Sequence, residues 1–202
     1  LSYCDGEPHS VLHSVEVAKF LPDPCDPSVT VFVDPKPPTV PPSTWPMPER
    51  LLAISDIEGN YDTMMSFLRA NGVVDAEGHW AWGTGHLLFN GDIVDRGDAV
   101  TETLNAIRHL EREAAAAGGQ VHFVLGNHEA MILAGDLRYI HPKYVTITEH
   151  MDVPYEVLYG ANTESGRWLC TRNSIVRIGD WMFLHAGYSP NLEALGLQPD
   201  AI

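Results

Sequence analysis

Short apolar runs alternate with amphipathic stretches from residue 50 onward. RLLAIS (50–55), HLLFN (86–90) and VHFVL (121–125) are short and largely apolar, the pattern of buried strands. Between them, NYDTMMSFLRANG (60–72) sets Tyr61, Met64, Met65 and Leu68 at helical spacing and closes on Gly72. DAVTETLNAIRHLEREAAAAGG (98–119) places Val100, Leu104, Ile107 and Leu110 on one helical face and ends in glycines. EAMILAG (129–135) starts a third helix. Strands and helices alternating in this way predict an α/β fold: a layered sheet flanked by helices on both faces. Residues 136–172 read as short helical pieces and loops forming a lid over one sheet edge. NSIVRIGDWMFLHAG (173–187) reads as two strands around a turn at Gly179 and Asp180, a hairpin that makes the sheet mixed.

The first 48 residues differ in kind. Ten of the fifteen prolines fall between Pro22 and Pro48, so residues 1–48 are expected to form an arm with one strand at VTVFVD (29–34) and a stiff PKPPTVPPSTWPMP tail. Trp45 is the natural anchor of that arm on the body, residues 49–202. No internal repeat is visible.

Composition narrows the function. With 45% hydrophobic residues the chain can bury a sizeable core, and its formal charge of −15 argues against nucleic-acid backbone binding. Some of the acids are candidates to hold cations, while solubility accounts for the rest. No apolar run reaches the roughly 18 residues of a membrane span. The chain begins with Leu1, which suggests removal of a preceding segment; a secretory signal is one possibility, and a periplasmic or secreted location is the expectation. Cys4 and Cys25 bracket a short segment and suit a disulfide, with two free thiols the alternative; Cys170 stands apart.

The chemistry lies in the loops that leave the strands. After LLAIS come Asp56-Ile57-Glu58-Gly59-Asn60; after HLLFN, Gly91-Asp92-Ile93-Val94-Asp95-Arg96-Gly97; after VHFVL, Gly126-Asn127-His128-Glu129; after WMFL, His185-Ala186-Gly187. Ligands of open α/β sheets sit outside the carboxyl ends of the strands, so these loops should converge. Acids crowded without cations repel and raise one another's pKa, a conflict that divalent metals remove. The mixture of carboxylate, amide oxygen and imidazole suits Mn²⁺, Fe or Zn²⁺ better than Ca²⁺. A carboxylate can bridge two ions about 3.5 to 4 Å apart, the spacing that activates water and clamps a phosphoryl oxygen. Arg96 and Asp95 have a second reading, as a turn brace paired with each other.

SDIEGN, GDIVDRG, GNHE and HAGYSP, in this order, resemble the phosphoprotein phosphatase branch of the calcineurin-like metallophosphoesterases, especially its bacterial members. The resemblance spans residues 51 to about 192. It implies that Asp56, Glu58 and Asp92 hold a first divalent metal, that Asp92 bridges to a second, and that Asn127 and His185 hold that second ion. It also implies in-line attack of a metal-bound hydroxide on a phosphomonoester, with Arg96 and Asn127 on the phosphate. His128, oriented by Asp95, would protonate the leaving oxygen. Arg suits phosphate by its planar fork, and an imidazolium paired with a carboxylate suits acid catalysis near neutral pH.

The chain departs from that pattern twice. The family's D-x-H is here Asp56-Ile57-Glu58, whose extra negative charge favours Mn²⁺ or Mg²⁺. The family's remaining metal histidine, which comes many residues after HAG, has no counterpart before Ile202, so the expectation is a fold incomplete at its C-terminus, with a weakly held second metal. His150, in the expected lid, is the weak substitute. The other histidines, His79, His86, His109, His122 and His141, have no motif context and are expected on the surface or as satisfied core groups. Arg138, Tyr139 and Arg172 are expected to serve packing more than substrate. GTG (83–85) precedes a strand and opens no helix, which argues against a glycine-rich dinucleotide-binding turn there. The expected substrate is a phosphorylated protein or small phosphate ester. The alternatives are a phosphodiesterase or nucleotide pyrophosphohydrolase, or a catalytically impaired binding module.

Overall fold

The computed structural model describes residues 2–5, 7–9, 15–27, 30–189 and 191. In chain order the strands are Ser2–Cys4 (β1), Glu7–His9 (β2), Lys19–Pro22 (β3), Thr30–Val33 (β4), Thr44–Trp45 (β5) and Leu51–Ile54 (β6). Helix α1 (Tyr61–Ala70), strand β7 (His86–Asn90), helix α2 (Val100–Ala116), strand β8 (Gln120–Val124) and helix α3 (Asn127–Leu133) come next. Helix α4 (Pro142–Met151), a 3-10 turn (Tyr155–Tyr159), helix α5 (Glu164–Cys170), β9 (Val176–Ile178) and β10 (Trp181–Phe183) complete the order.

The central sheet is parallel, in the order β6-β7-β8. Its middle strand explains the layers, because successive side chains of a strand point to opposite faces. Leu87 and Phe89 enter one core with Met64 and Leu68 of α1 and Ile107 and Leu110 of α2. Leu88, between them, enters a second core with Val124, Val176 and Ile178, against which Trp45 and Phe183 pack. The helices thus cover one face, and the other is covered by a small mixed sheet, β10-β9-β5, instead of the second helical layer expected. Here β9 and β10 form the expected antiparallel hairpin. The reason is apolar alternation: Val176 and Ile178 are buried while Arg177 between them is exposed, which suits a strand with one face on the core.

Two other expectations change. The arm carries two hairpins, β1-β2 and β3-β4, and a strand, β5, that pairs in parallel with β9, where a single strand was anticipated. The short polar strands of β1 and β2 have no hydrophobic alternation to reveal them. Trp45 does anchor the arm: its ring meets those of His86 and His122 edge-on, with centroids 5.8 and 5.3 Å away. Residues 136–172 are helical as expected, but they form a layer packed into the main core, not a lid over a sheet edge. Tyr144, Ile147, Tyr155, Tyr159, Trp168 and Leu169 are all buried there. Charge ties this layer to α2: Arg172 pairs with Glu111 at 2.6 Å and Arg108 pairs with Glu164. Among the described residues no helix is long and apolar enough to cross a membrane.

Cys25 is disulfide-bonded and Cys170 is free. The side chain of Cys4 lies outside the described residues, as do most of the residues after Ser189.

Candidate metal centre

Parallel strands β6, β7 and β8 end on the same side of the sheet, and the loops leaving them interlock. Backbone N–H groups of Asp56, Glu58 and Gly59 donate to the carbonyls of Gly91, Asp92 and Ile93 at 3.1, 3.0 and 2.8 Å, which carries the β6-β7 pairing into both loops. Asp56, Glu58, Asp92, Asp95 and Arg96 all have φ between 49° and 70°. Left-handed backbone at non-glycine residues is costly, and a cluster of it marks a site held by its surroundings. Glycines fill the tightest places: a Cβ on Gly126 would fall 2.2 Å from Asp92 Oδ1.

Glu129 supplies much of the holding. Its side chain is fully buried, and it accepts the N–H groups of Asp92 at 2.9 Å, Ile93 at 2.8 Å, Val94 at 3.2 Å and Gly126 at 2.7 Å. Burial pushes its carboxyl up, and the four N–H groups pull the other way by favouring the ionised form. This residue stands inside GNHE, yet sequence reading missed its role. The available signal was a Glu three residues after Gly126, the spacing of a helix N-terminal box.

The centre itself is Asp92, buried at 4% exposure. Its Oδ1 accepts the backbone N–H of His128 at 2.9 Å. Two imidazoles turn Nε2 toward its Oδ2, His185 at 3.0 Å and His128 at 3.8 Å. Each ring is fixed from behind: His185 Nδ1 lies 2.6 Å from the Asn90 carbonyl oxygen, and His128 Nδ1 lies 2.8 Å from Asp95 Oδ2. A carbonyl can only accept, so His185 carries a proton on Nδ1, which leaves Nε2, facing Asp92 Oδ2, as the nitrogen that would turn its lone pair to a cation, the usual way a ligating imidazole is oriented. Burial works against the charged form of His185, but the Asn90 carbonyl and the Asp92 and Asp56 carboxylates outweigh it and hold its pKa above the usual value. Burial likewise pushes the Asp95 carboxyl up, opposed by its hydrogen bond to His128.

Two groups of ligand atoms fit an ion, Asp56-Asp92-His185 and Glu58-Asp92-His128, each within 4.8 Å, and Asp92 belongs to both. The donor set of carboxylates and Nε2 atoms fits borderline divalent cations. The grouping differs from the expected one, in which Glu58 sits with Asp56. Arg96 explains this, since its guanidinium hydrogen-bonds Glu58 Oε1 and draws that side chain toward the GDIVDRG loop. Asp95 spends its carboxylate on His128 and Arg96 its guanidinium on Glu58, so the two do not brace each other. Arg96 also lies over the Tyr139 ring, 5.2 Å from its centroid, and its N–H donates to the Tyr139 carbonyl at 2.8 Å. Asn127 is exposed at the first position of α3, between Gly126 and His128. His150 is exposed in the last turn of α4 and belongs to neither group. Arg138 pairs with Asp136 on the surface.

The family model for the calcineurin-like phosphoesterases matches residues 49–198, and the chain belongs to that family. The chain is 36% identical over 96 residues to Shewanella-like protein phosphatase 2 of Arabidopsis thaliana, covering 48% of this chain and 25% of that protein. It is 33% identical over 141 residues to a symmetrical bis(5'-nucleosyl)-tetraphosphatase of Methylococcus capsulatus, covering 69% of this chain and 44% of the relative. The crystal structure of a cold-active protein-tyrosine phosphatase from a psychrophilic Shewanella species superposes with a TM-score of 0.78 at 41% identity, covering 80% of this chain and 49% of that one. The chain thus spans half or less of the length of each of these relatives.

Proposed function

We propose that this chain forms the metal-binding core of a phosphomonoesterase that uses two divalent cations, Mn²⁺ foremost, with Fe or Zn²⁺ as alternatives, and acts on phosphorylated protein or a small phosphate ester. The observation that carries the proposal is Asp92, the one carboxylate common to two ligand groups. Asp56, Asp92 and His185 would hold one ion, and Glu58 with Asp92 the other, with Asn127 beside them. When bound, the cations neutralise the crowded carboxylates and supply an activated water and Lewis acidity toward the phosphoryl oxygens.

The chain's own residues do the rest. Arg96 is half exposed at the rim, and transfer of its guanidinium from Glu58 to an incoming phosphate replaces one charge-assisted contact by another. His128 presents Nε2 to the same space with Nδ1 tied to Asp95, the arrangement by which an imidazolium delivers a proton to a leaving oxygen. Tyr139, 41% exposed, places its ring 5.2 Å from that of His128, an aromatic wall where the leaving group would sit. That wall, together with the tyrosine-phosphatase relative, favours an aryl phosphate such as phosphotyrosine. The bonded Cys25 supports a periplasmic or secreted location.

The tetraphosphatase relative favours a second reading, hydrolysis of a dinucleotide polyphosphate. Initial rates on a phosphotyrosyl peptide, a phosphoseryl peptide, 4-nitrophenyl phosphate, its bis ester and diadenosine tetraphosphate separate the two. The proposal expects Mn²⁺-dependent turnover of the monoesters, abolished by chelation, with the phosphotyrosyl peptide ahead. Preference for the polyphosphate supports the second reading, and full activity after exhaustive chelation contradicts both.

A further inference from the structure

At the opposite end of the sheet from the candidate centre, two histidines without motif context meet a glutamate. Helix α2 carries His109 and Glu113 four residues apart, on one face and one turn from each other. His79 comes from the segment before β7, where Val74 and Trp80 form an antiparallel bridge. This small hairpin is pinned: the Asp75 N–H donates to the His79 carbonyl at 2.9 Å, and the His79 N–H donates to Asp75 Oδ1 at 2.8 Å. His79 Nδ1 lies 2.8 Å and His109 Nε2 2.9 Å from the same oxygen, Glu113 Oε1. The other carboxylate oxygen, Oε2, accepts the Trp80 N–H at 2.7 Å.

We propose that His79 Nδ1, His109 Nε2 and Glu113 Oε1 bind a zinc-class divalent cation that clips the 74–80 hairpin to α2. The three atoms lie within 4.8 Å of one another. Two imidazole nitrogens and one carboxylate oxygen, leaving a fourth position to water, form a donor set that suits Zn²⁺, Ni²⁺ or Cu²⁺ better than Mn²⁺ or Mg²⁺. In this it contrasts with the carboxylate-rich centre at the other end. The Trp80 N–H fixes one glutamate oxygen and leaves the other to the ion, as outer-shell donors do for ligating carboxylates. Tetrahedral ligands about 2.0 to 2.1 Å from a zinc ion stand roughly 3.3 Å apart, so each imidazole nitrogen withdraws from Glu113 Oε1 by about half an ångström to admit the ion. Asp75 and Glu77 add negative potential at His79.

Three contacts oppose binding: the Glu113 carboxylate only accepts, so His79 Nδ1 and His109 Nε2 donate to it and give up those protons when they ligate, and the third contact comes from Arg112. Arg112 donates to His109 Nδ1 at 3.2 Å, and ligation through Nε2 puts the ring proton on Nδ1, so this contact is given up when the cation binds. Arg112 also donates to the Arg108 carbonyl at 3.0 Å, which can retain it.

The test is equilibrium dialysis of chelator-treated chain against Zn²⁺, with thermal melting alongside, on the parent chain and on His79→Gln, His109→Gln and the double variant. His79 is exposed, so His79→Gln retains the fold, and circular dichroism verifies this. The expectation is one fewer Zn²⁺ per chain in the double variant, at least tenfold weaker binding at this site in each single variant, and an unchanged Mn²⁺ stoichiometry. In an Asp92→Asn background, Zn²⁺ should raise the melting temperature, and His79→Gln should remove that rise. Equal Zn²⁺ stoichiometry and affinity in parent and double variant overturns the proposal and leaves the three residues as a hydrogen-bonded surface triad. Because the readout is zinc stoichiometry, this outcome is independent of whether the chain is a phosphatase.

Discussion

His128 and Glu129 are adjacent in sequence and perform different tasks. His128 has its Nδ1 committed to Asp95 and its Nε2 turned toward the Asp92 side of the site, so its substitution should affect proton delivery more than architecture. His128→Asn is expected to slow hydrolysis of alkyl phosphates by roughly 10² or more, with a smaller effect on 4-nitrophenyl phosphate, whose leaving group needs no acid. Steady-state rates on the two substrates, with metal content measured in parallel, check this. Glu129 is a positioning residue. Glu129→Gln turns an amide NH₂ toward backbone N–H donors in a fully buried place, and it should cost about 3 kcal/mol of stability together with much of the metal affinity. Urea unfolding of the metal-free protein measures the first part. The ligand candidates were legible in sequence because glycines and acids punctuate each strand end. The role of Glu129 was not, because three of its four donors belong to a loop 35 to 37 residues earlier in the chain. Glu58 was legible as an acid near the centre, but its pairing with Arg96 depends on how two loops cross.

Strands β7 and β8 carry His86 and His122 on the face that receives Trp45. His122 Nε2 sits 3.0 Å from His86 Nδ1, and burial first, then the neighbouring imidazole, lowers the His122 pKa to about 3. A histidine near 6.5 in the unfolded chain and about 3 in the folded one binds more protons when unfolded across that window. Stability therefore falls as pH drops from 6.5 toward 3, by about 2 kcal/mol between pH 7 and pH 5 from this residue. His122→Phe, which keeps a ring against Trp45, should flatten that part of the pH dependence, as urea midpoints at pH 7 and pH 5 would show. At this scale the main elements were readable to within two residues at most ends, because α1, α2 and β7 obey helical or continuous apolar patterns. The packing of the 142–170 helices into the main core and the pairing of β5 with β9 were not. The first is held by aromatic packing and buried ion pairs on α2, and the second joins residues far apart in sequence, neither of which leaves a local periodicity.

The molecule as a whole gathers its chemistry at the carboxyl ends of three parallel strands and holds it there by strained loops, a buried glutamate and two back-tethered imidazoles. The role proposed for Asp92 is to bridge two cations. The most direct measurement is electron paramagnetic resonance of the chelator-treated chain titrated with Mn²⁺. The expected result is an exchange-coupled signal from a pair of ions about 3.5 to 4 Å apart, replaced by the spectrum of isolated Mn²⁺ in Asp92→Asn. A saturated parent chain that shows only isolated Mn²⁺, or a coupled signal that survives unchanged in Asp92→Asn, would contradict it.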